Sequence, residues 1–442
     1  MDATTTRHEY HAKQQRMSKE MNNTKTPRLR FAEFREAWTK KTLGGIAVLI
    51  NDKAGINRYK LMSITAGIGL VSQIEKFGRE IAGESYKNYY VIKKGDFAYN
   101  KSSTKQYPEG QIVVLENEET GAVPNSIFTC FRIDDKLISP FFLKYPFENN
   151  IHGNWLKKFI EVGARAHGAL SVDTKDLFAT PIFFPSLAEQ QKIAAFLTSL
   201  DELIAAEGQK LKALQAHKKG LMQQLFPAEG ETTPRRRFGG FEGEWEEKTL
   251  GECLLRKPDY GVNAPAVPYS KDLPTYLRIT DISEGGHFLQ NQMVSVVKGV
   301  TEEYYLSEND IVLARTGASV GKSYKYKVTD GRLVFAGFLI RVKPNPKKIN
   351  SELLFQFFST EKYWRWVAFI SARSGQPGIN GTEYSSMPII LPPTLAEQQK
   401  IAACLTALDE LIAARGRRLE LLKEQKRGLM QGLFPNPNEI EA

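Results

Sequence analysis

The sequence predicts an α+β protein written twice: two mixed α and β bodies, each closed by a long amphipathic helix. Three observations predict this. The run Leu187-Ala-Glu-Gln-Gln-Lys-Ile-Ala-Ala195 recurs as Leu395 to Ala403, and matching Pro185 to Pro227 with Pro393 to Pro435 gives identity at about thirty of forty-three positions. A fainter echo opens each half: Pro27, Phe31, Phe34, Trp38, Lys41, Thr42, Leu43 and Gly44 match Pro234, Phe238, Phe241, Trp245, Lys248, Thr249, Leu250 and Gly251. Between these frames the bodies differ greatly. A period this long is duplication of a whole domain rather than a solenoid.

In chain order, residues 1–26 form a polar tail, expected to be disordered. Met17 and Met21 lie inside it, so the natural start is open among Met1, Met17 and Met21. The first body spans 27–185 and its helix 186–227; a linker and second body span 228–392, the second helix 393–435, and a short tail 436–442. Ser186-x-x-Glu189 and Thr394-x-x-Glu397 read as capping boxes after a proline. Apolar residues then recur at steps of four and three: Ile193, Leu197, Leu200, Ile204, Leu211, Leu214, Leu221 and Leu225, and in the second copy Ile401, Leu405, Leu408, Ile412, Leu419, Leu422, Leu429 and Leu433. That is a coiled-coil seam. Gly220 and Gly428 each weaken it by about 1 kcal/mol, and Pro227 and Pro435 end the segments. The seam is broken by Glu207 in one copy and Arg415 in the other. Either each helix packs on its own body with these charges solvated, or the helices pair antiparallel about a pseudo-two-fold axis that brings Glu207 to Arg415; pairing is the favoured reading. Strands are expected at Pro181–Phe184, Ile311–Ala314, Val334–Val342 and Met387–Leu391.

Composition bounds the function. The chain has 442 residues, 42% hydrophobic and 25% charged, which is ordinary for a globular protein with two or three cores. No apolar run reaches the length of a membrane span, and the start lacks a signal-peptide core, so a soluble cytoplasmic protein is expected. Cys130, Cys253 and Cys404 are odd in number and far apart, which argues against a disulfide framework and against a cysteine-built zinc site. A net charge of +10 suggests nucleic acid without proving it.

A search for catalytic chemistry finds little. Gly317-Ala-Ser-Val-Gly-Lys-Ser323 is one residue short of a phosphate loop, and the alternation Tyr324 to Val328 reads as a strand, so this is a hairpin. The only Pro-Pro, Pro392-Pro393, lacks the flanks of the tetrapeptide with which an adenine methyltransferase grips a flipped base. The six histidines form neither H-x-x-x-H nor H-E-x-x-H. No catalytic residue, metal site or cofactor is therefore assigned to this chain.

What remains is surface for recognition. Phe97 to Asn100 empties into Lys101, Ser102, Ser103, Thr104, Lys105, Gln106 and Tyr107, while Ile311 to Ala314 empties into Arg315, Thr316 and Gly317. Two further loops, Gly163 to Gly168 with Arg165 and His167, and Arg373 to Asn380 with Gln376, share this mixture of cations, amides and small residues. Such side chains donate to phosphates and read base edges. The candidate DNA-binding residues are Lys101, Ser102, Thr104, Lys105, Arg165, His167, Arg315, Thr316, Arg373, Gln376 and Asn380. Any one of them could instead be a solvated loop tip.

The two bodies closed by P-x-L-A-E-Q-Q-K-I-A-A and by helices ending L-M-Q-x-L-F-P resemble the specificity subunit of type I restriction–modification enzymes. The resemblance runs from about Pro27 to Pro435, and Tyr276-Leu-Arg-Ile-Thr-Asp281 and the Asp310 to Lys322 stretch resemble the family's body motifs. The first body departs from them, with Ile64-Thr-Ala66 and no glycine directly after Lys101-Ser102.

The resemblance implies that each body is a target recognition domain reading half of a bipartite site in double-stranded DNA. It implies that the helices are a spacer and a docking surface for two modification subunits, with restriction subunits in the full complex. On that reading Glu189, Gln190, Ile193, Leu197, Leu200, Ile204 and Glu207, with Glu397, Gln398, Ile401, Leu405, Leu408, Ile412 and Arg415, serve helix pairing and subunit docking. S-adenosylmethionine, ATP and Mg are expected on the partner subunits, which methylate adenine at N6 or translocate and cleave DNA. A helix of about 40 residues spans about 60 Å, so half-sites lie at most about 17 base pairs apart. Two alternatives stand beside this: a self-contained DNA enzyme with an unrecognised site, and a basic two-lobed scaffold for protein partners.

Overall fold

The computed structural model describes residues 27–65, 69–160, 170–297, 300–372 and 376–435. The chain divides into two compact units, one of residues 1–206 with 419–442, the other of residues 207–418. Each unit thus takes the start of one long helix and the end of the other. The helices run Leu187–Leu225 and Leu395–Leu433, 39 residues each, and pass through Gly220 and Gly428 unbroken.

In the first unit a four-stranded antiparallel sheet carries, in spatial order, Ala47–Leu49, Phe128–Ile133, Phe97–Asn100 and Gln111–Val114. Its core gathers Trp38, Phe97, Phe131, Phe142 and Ile182, together with Ile193 and Leu197 of the first helix, Met430 and Leu433 of the second, and Phe434 just after it. Pro181–Phe184 pairs antiparallel with Thr39–Thr42, joining the end of the body to its opening motif.

The second unit repeats the plan. Its sheet carries Asp259–Tyr260, Leu339–Val342, Ile311–Ala314 and Ser323–Lys325, again all antiparallel. Its core gathers Trp245, Ile311, Ile340 and Tyr363 with Ile401 and Leu405, and with Met222, Leu225 and Phe226. Pro388–Leu391 pairs with Glu246–Thr249. The apolar end of each L-M-Q-x-L-F-P motif is therefore core, and each such phenylalanine contributes about 2 kcal/mol or more by leaving water.

The units differ in what surrounds the shared sheet. The first adds the hairpin Met62–Thr65 with Gly69–Ser72 and the pair Tyr90–Lys93 with Thr120–Val123. The second adds a mixed four-stranded sheet in which Thr275–Leu277 runs parallel to Leu333–Phe335. The apolar stretch Val334–Val342 is consequently two strands rather than one. Ala336 and Gly337 turn the chain, since the Leu339 N–H donates to Ala336 O at 2.8 Å.

The capping boxes are replaced by a stronger contact. The Glu397 N–H does donate to Thr394 Oγ1 at 3.3 Å, but its carboxylate does not turn back to the cap. Arg237 Nε and Nη2 donate to Glu397 Oε1 and Oε2, both at 2.7 Å, and Arg30 does the same to Glu189 at 2.8 and 2.7 Å. Both glutamates are 1% exposed, and a bidentate guanidinium satisfies a buried carboxylate better than one backbone N–H.

Candidate nucleic-acid interface

The candidate loops are positioned by a device the two units share. A left-handed turn residue, Gly95 at φ +88° or Asn309 at φ +71°, precedes a buried aspartate. Asp96 accepts from the Lys93 N–H at 2.7 Å and Asp310 from the Ser307 N–H at 3.0 Å, closing the turn. Each carboxylate is then clamped from the neighbouring strand: Arg132 donates twice to Asp96 at 2.7 Å, and Lys343 donates to Asp310 at 3.0 Å. The turn thus fixes where Phe97–Asn100 and Ile311–Ala314 start, and so where their loops emerge.

At the far end of each strand the same backbone contacts recur. The Lys101 N–H donates to Ile127 O at 3.0 Å, and Lys101 O accepts from the Leu170 N–H at 2.7 Å. The Arg315 N–H donates to Phe338 O at 3.1 Å, and Arg315 O accepts from the Ile379 N–H at 2.8 Å. Leu170 lies two positions after the stretch Gly163 to Gly168, which is outside the described residues, and Ile379 lies three positions after Gln376. The two candidate loops of the second unit are therefore brought together, with the Gly317 N–H donating to Pro377 O at 3.0 Å and Thr316 bridging Gly378.

Individual side chains fare differently. Arg315 lays its guanidinium over the Tyr260 ring, 4.9 Å from its centroid. Gln376 is exposed, and its Nε2 would lie 3.1 Å from a β-carbon at Gly317. Lys105 is exposed and Lys101 half-buried. Thr104 is used locally, its hydroxyl accepting from the Tyr107 N–H at 3.0 Å, and the Ser102 N–H donates to Asn100 Oδ1 at 3.0 Å. Asn380 is exposed and caps a helix: its Oδ1 accepts from the Glu383 N–H at 2.9 Å, and its backbone N–H donates to Glu383 Oε2 at 2.8 Å, opening helix Gly381–Ser385. Arg165, His167 and Arg373 lie outside the described residues. The phosphate-loop look-alike is a hairpin, with Ile311–Ala314 paired to Ser323–Lys325 and Lys322 bonded to Glu284 at 2.6 Å.

The helix residues assigned to pairing and docking separate into two groups. Glu189, Gln190, Ile193 and Leu197, like Glu397, Gln398, Ile401 and Leu405, are buried in their own units. Gln190 Oε1 accepts from the Ser139 N–H and Gln398 Oε1 from the Asn350 N–H, both at 2.8 Å, so these amides lock each helix start to its body and offer no docking surface. Leu200, Ile204, Leu408 and Ile412 are half-buried. Arg415 Nη1 donates to Glu207 Oε2 at 3.1 Å, and Glu207 is 2% exposed. Burial alone would push the Glu207 carboxyl up, but Arg415, Lys210 and Arg418 together hold it below its ordinary value.

Sequence reasoning missed the cations that fasten the frame. Lys218 donates to Asp409 at 2.6 Å in the second unit; Lys426 pairs with Asp201 at 2.6 Å and Glu148 at 2.8 Å in the first. Burial would lower the Lys426 ammonium, and Glu148 and Asp201 outweigh it and hold it above the usual lysine value. These residues, like Arg30 and Arg237, occupy matched positions of the repeat, and that matching was the signal available. Tyr260 carried no such signal. Cys130 and Cys253 are buried, and burial pushes the Cys130 thiol up to about 12. Among the described residues no helix is long and apolar enough to cross a membrane.

The duplicated body with divergent loops at one shared address has known relatives. Residues 36–216 and 243–424 each match the type I restriction modification DNA specificity domain. The chain belongs to this family and is a type I restriction–modification specificity subunit with a role in DNA recognition. It is 24% identical over 435 residues to a Methanocaldococcus jannaschii protein described as the MjaX type I restriction enzyme specificity subunit, covering 96% of this chain and 98% of that one. The MjaVIII specificity subunit of the same organism is 24% identical over 292 residues, 63% of this chain and 67% of that one. In fold it is similar to the type I restriction–modification S subunit of M. genitalium, with a TM-score of 0.55 at 14% identity over 93% and 99% of the two chains. A chain from a study of type I R-M complex assembly and conformational transition gives 0.52 at 16% identity over 92% and 100%.

Proposed function

We propose that each body reads one half of a bipartite DNA site and that the chain performs no catalysis itself. Modification subunits docked on the long helices carry S-adenosylmethionine and methylate adenine at N6, and ATP-driven restriction subunits join them in the full complex. The observation that carries this reading is the repeated loop address. Lys101 and Arg315 stand on matched backbone frames, Lys101 bonded to Leu170 and Arg315 to Ile379, while the surrounding sequence diverges. Lys101, Lys105, Arg315, Thr316 and Gln376 are the described residues proposed to face DNA, joined by Arg165, His167 and Arg373.

We further propose that the helices pair antiparallel as a coiled coil about a pseudo-two-fold axis. Glu207 and Arg415 hold matched positions of the repeat and meet each other, as self-equivalent residues do on such an axis. Lys218 with Asp409, and Lys426 with Asp201, are one contact written twice. Helix length then sets the unread spacer, so deleting one turn shortens it.

The test is a map of N6-methyladenine in the host with and without the gene. Loss of one motif made of two short half-sites around an unread spacer is expected. Loss of a contiguous motif would overturn the two-reader arrangement, and no change at all would overturn the methylation role.

A further inference from the structure

We infer that Tyr260 is a positioning residue that holds Arg315 ready to read a guanine in the half-site taken by the second body; this rests on the loop after Ile311–Ala314 facing DNA. Arg315 is fixed at its backbone in both directions, by Phe338 O and by the Ile379 N–H. Its guanidinium carbon sits over the Tyr260 ring, 4.9 Å from the centroid, a cation–π contact. The ring is itself held. Tyr260 sits on an edge strand in register with Ile340, and its hydroxyl accepts from the Gly381 N–H at 2.9 Å. Yet it remains 40% exposed, so the stack lies at the rim rather than in the core.

The contrast with other arginines of this unit gives the stack its meaning. Arg237, Arg278 and Arg341 are engaged by Glu397, Asp281 and Asp259. Arg315 has an aromatic face and, among the described residues, no carboxylate partner. A guanidinium held through its face keeps its charge, and the outer donors stay aimed along the plane of the fork. A guanine in the major groove offers O6 and N7 side by side, the acceptor pair such a fork matches. A phosphate would also accept the fork but carries no sequence information.

The test uses the full chain assembled with its modification subunits, after exchange of residues 228–392 has shown which half-site the second body reads. Binding is measured on DNA duplexes substituted one base pair at a time, at several salt concentrations. Arg315→Lys keeps the charge but loses the fork. It should reduce discrimination at a single G·C pair by about tenfold or more, leaving the salt dependence and the other half-site unchanged. Tyr260→Leu should relax the same position, and Tyr260→Phe, which keeps the ring, should restore it. The intact other half-site reports that each variant is folded. Equal weakening on every sequence with a shallower salt slope would assign Arg315 to a phosphate and overturn the inference. So would full discrimination in Tyr260→Leu. Absence of any half-site preference in the unaltered protein would instead overturn the two-reader proposal beneath it.

Discussion

The two loop addresses share a backbone and differ in how they present a cation. In the second unit Arg315 lies on Tyr260. In the first, the edge strand Ala47–Leu49 pairs with Phe128–Ile133 and the Ile50 N–H donates to Cys130 O, a register that puts Asn51 where Tyr260 stands. Lys101 has no ring contact among the described residues. Duplication preserved what positions the loop, namely the buried aspartate, the strand and the two backbone bonds at its end. It left free what touches the outside. Lysine is a hydrated point charge suited to phosphate, whereas a stacked arginine is a directional fork. The sequence thus diverges where no core contact depends on it.

Four measurements break or sharpen that comparison, in order of decreasing effect. The shared frame should respond equally in both halves. Arg30→Ala and Arg237→Ala each strand a glutamate that is 1% exposed and should each cost about 3 kcal/mol or more in urea unfolding. A large loss in one and none in the other would break the equivalence. Phe226→Ala and Phe434→Ala should each cost about 3 kcal/mol, because each ring packs on the opening tryptophan of a unit, Phe226 on Trp245 at 6.2 Å and Phe434 on Trp38 at 6.3 Å. Retained stability would remove the helix ends from the cores.

The loops should respond unequally. Lys101→Ala should weaken binding to all sequences alike and reduce the salt slope by about 1, whereas Arg315→Ala should cost about 1–3 kcal/mol of preference at one base pair. Competition binding at two salt concentrations separates them, and identical profiles would erase the distinction drawn between the addresses. The smallest effect lies at the matched pair of the helices. The folded-state value of Glu207 lies below its ordinary one, so its stabilisation is present above the unfolded value of about 4.3 and lost as pH falls through the folded value. The stability difference between the native chain and Glu207→Gln should therefore be present near neutral pH and be lost only as the pH falls through the lowered folded value. A difference that persists in acid would mean that the carboxylate charge is not what Arg415 holds.

The sequence by itself determined the duplication, the two long helices with their closing prolines, and the strands that lead into Lys101 and Arg315. Each is periodic or local, and periodicity in a chain directly reports which face is buried. It also marked the family through the helix starts. Only the tertiary structure decided what those helix starts do. Glu189 and Glu397 read as capping residues because a capping box needs only four residues of sequence, yet arginines about 160 positions earlier claim them. Asn380 caps the helix Gly381–Ser385 through its Oδ1, a role that its place in the loop did not signal. Tyr260 and Arg315 are 55 residues apart, and nothing in either neighbourhood foretells their stack. Partner choice among polar groups depends on where the folded chain returns, because any of several bonds satisfies the same atom and only closure of the fold selects one.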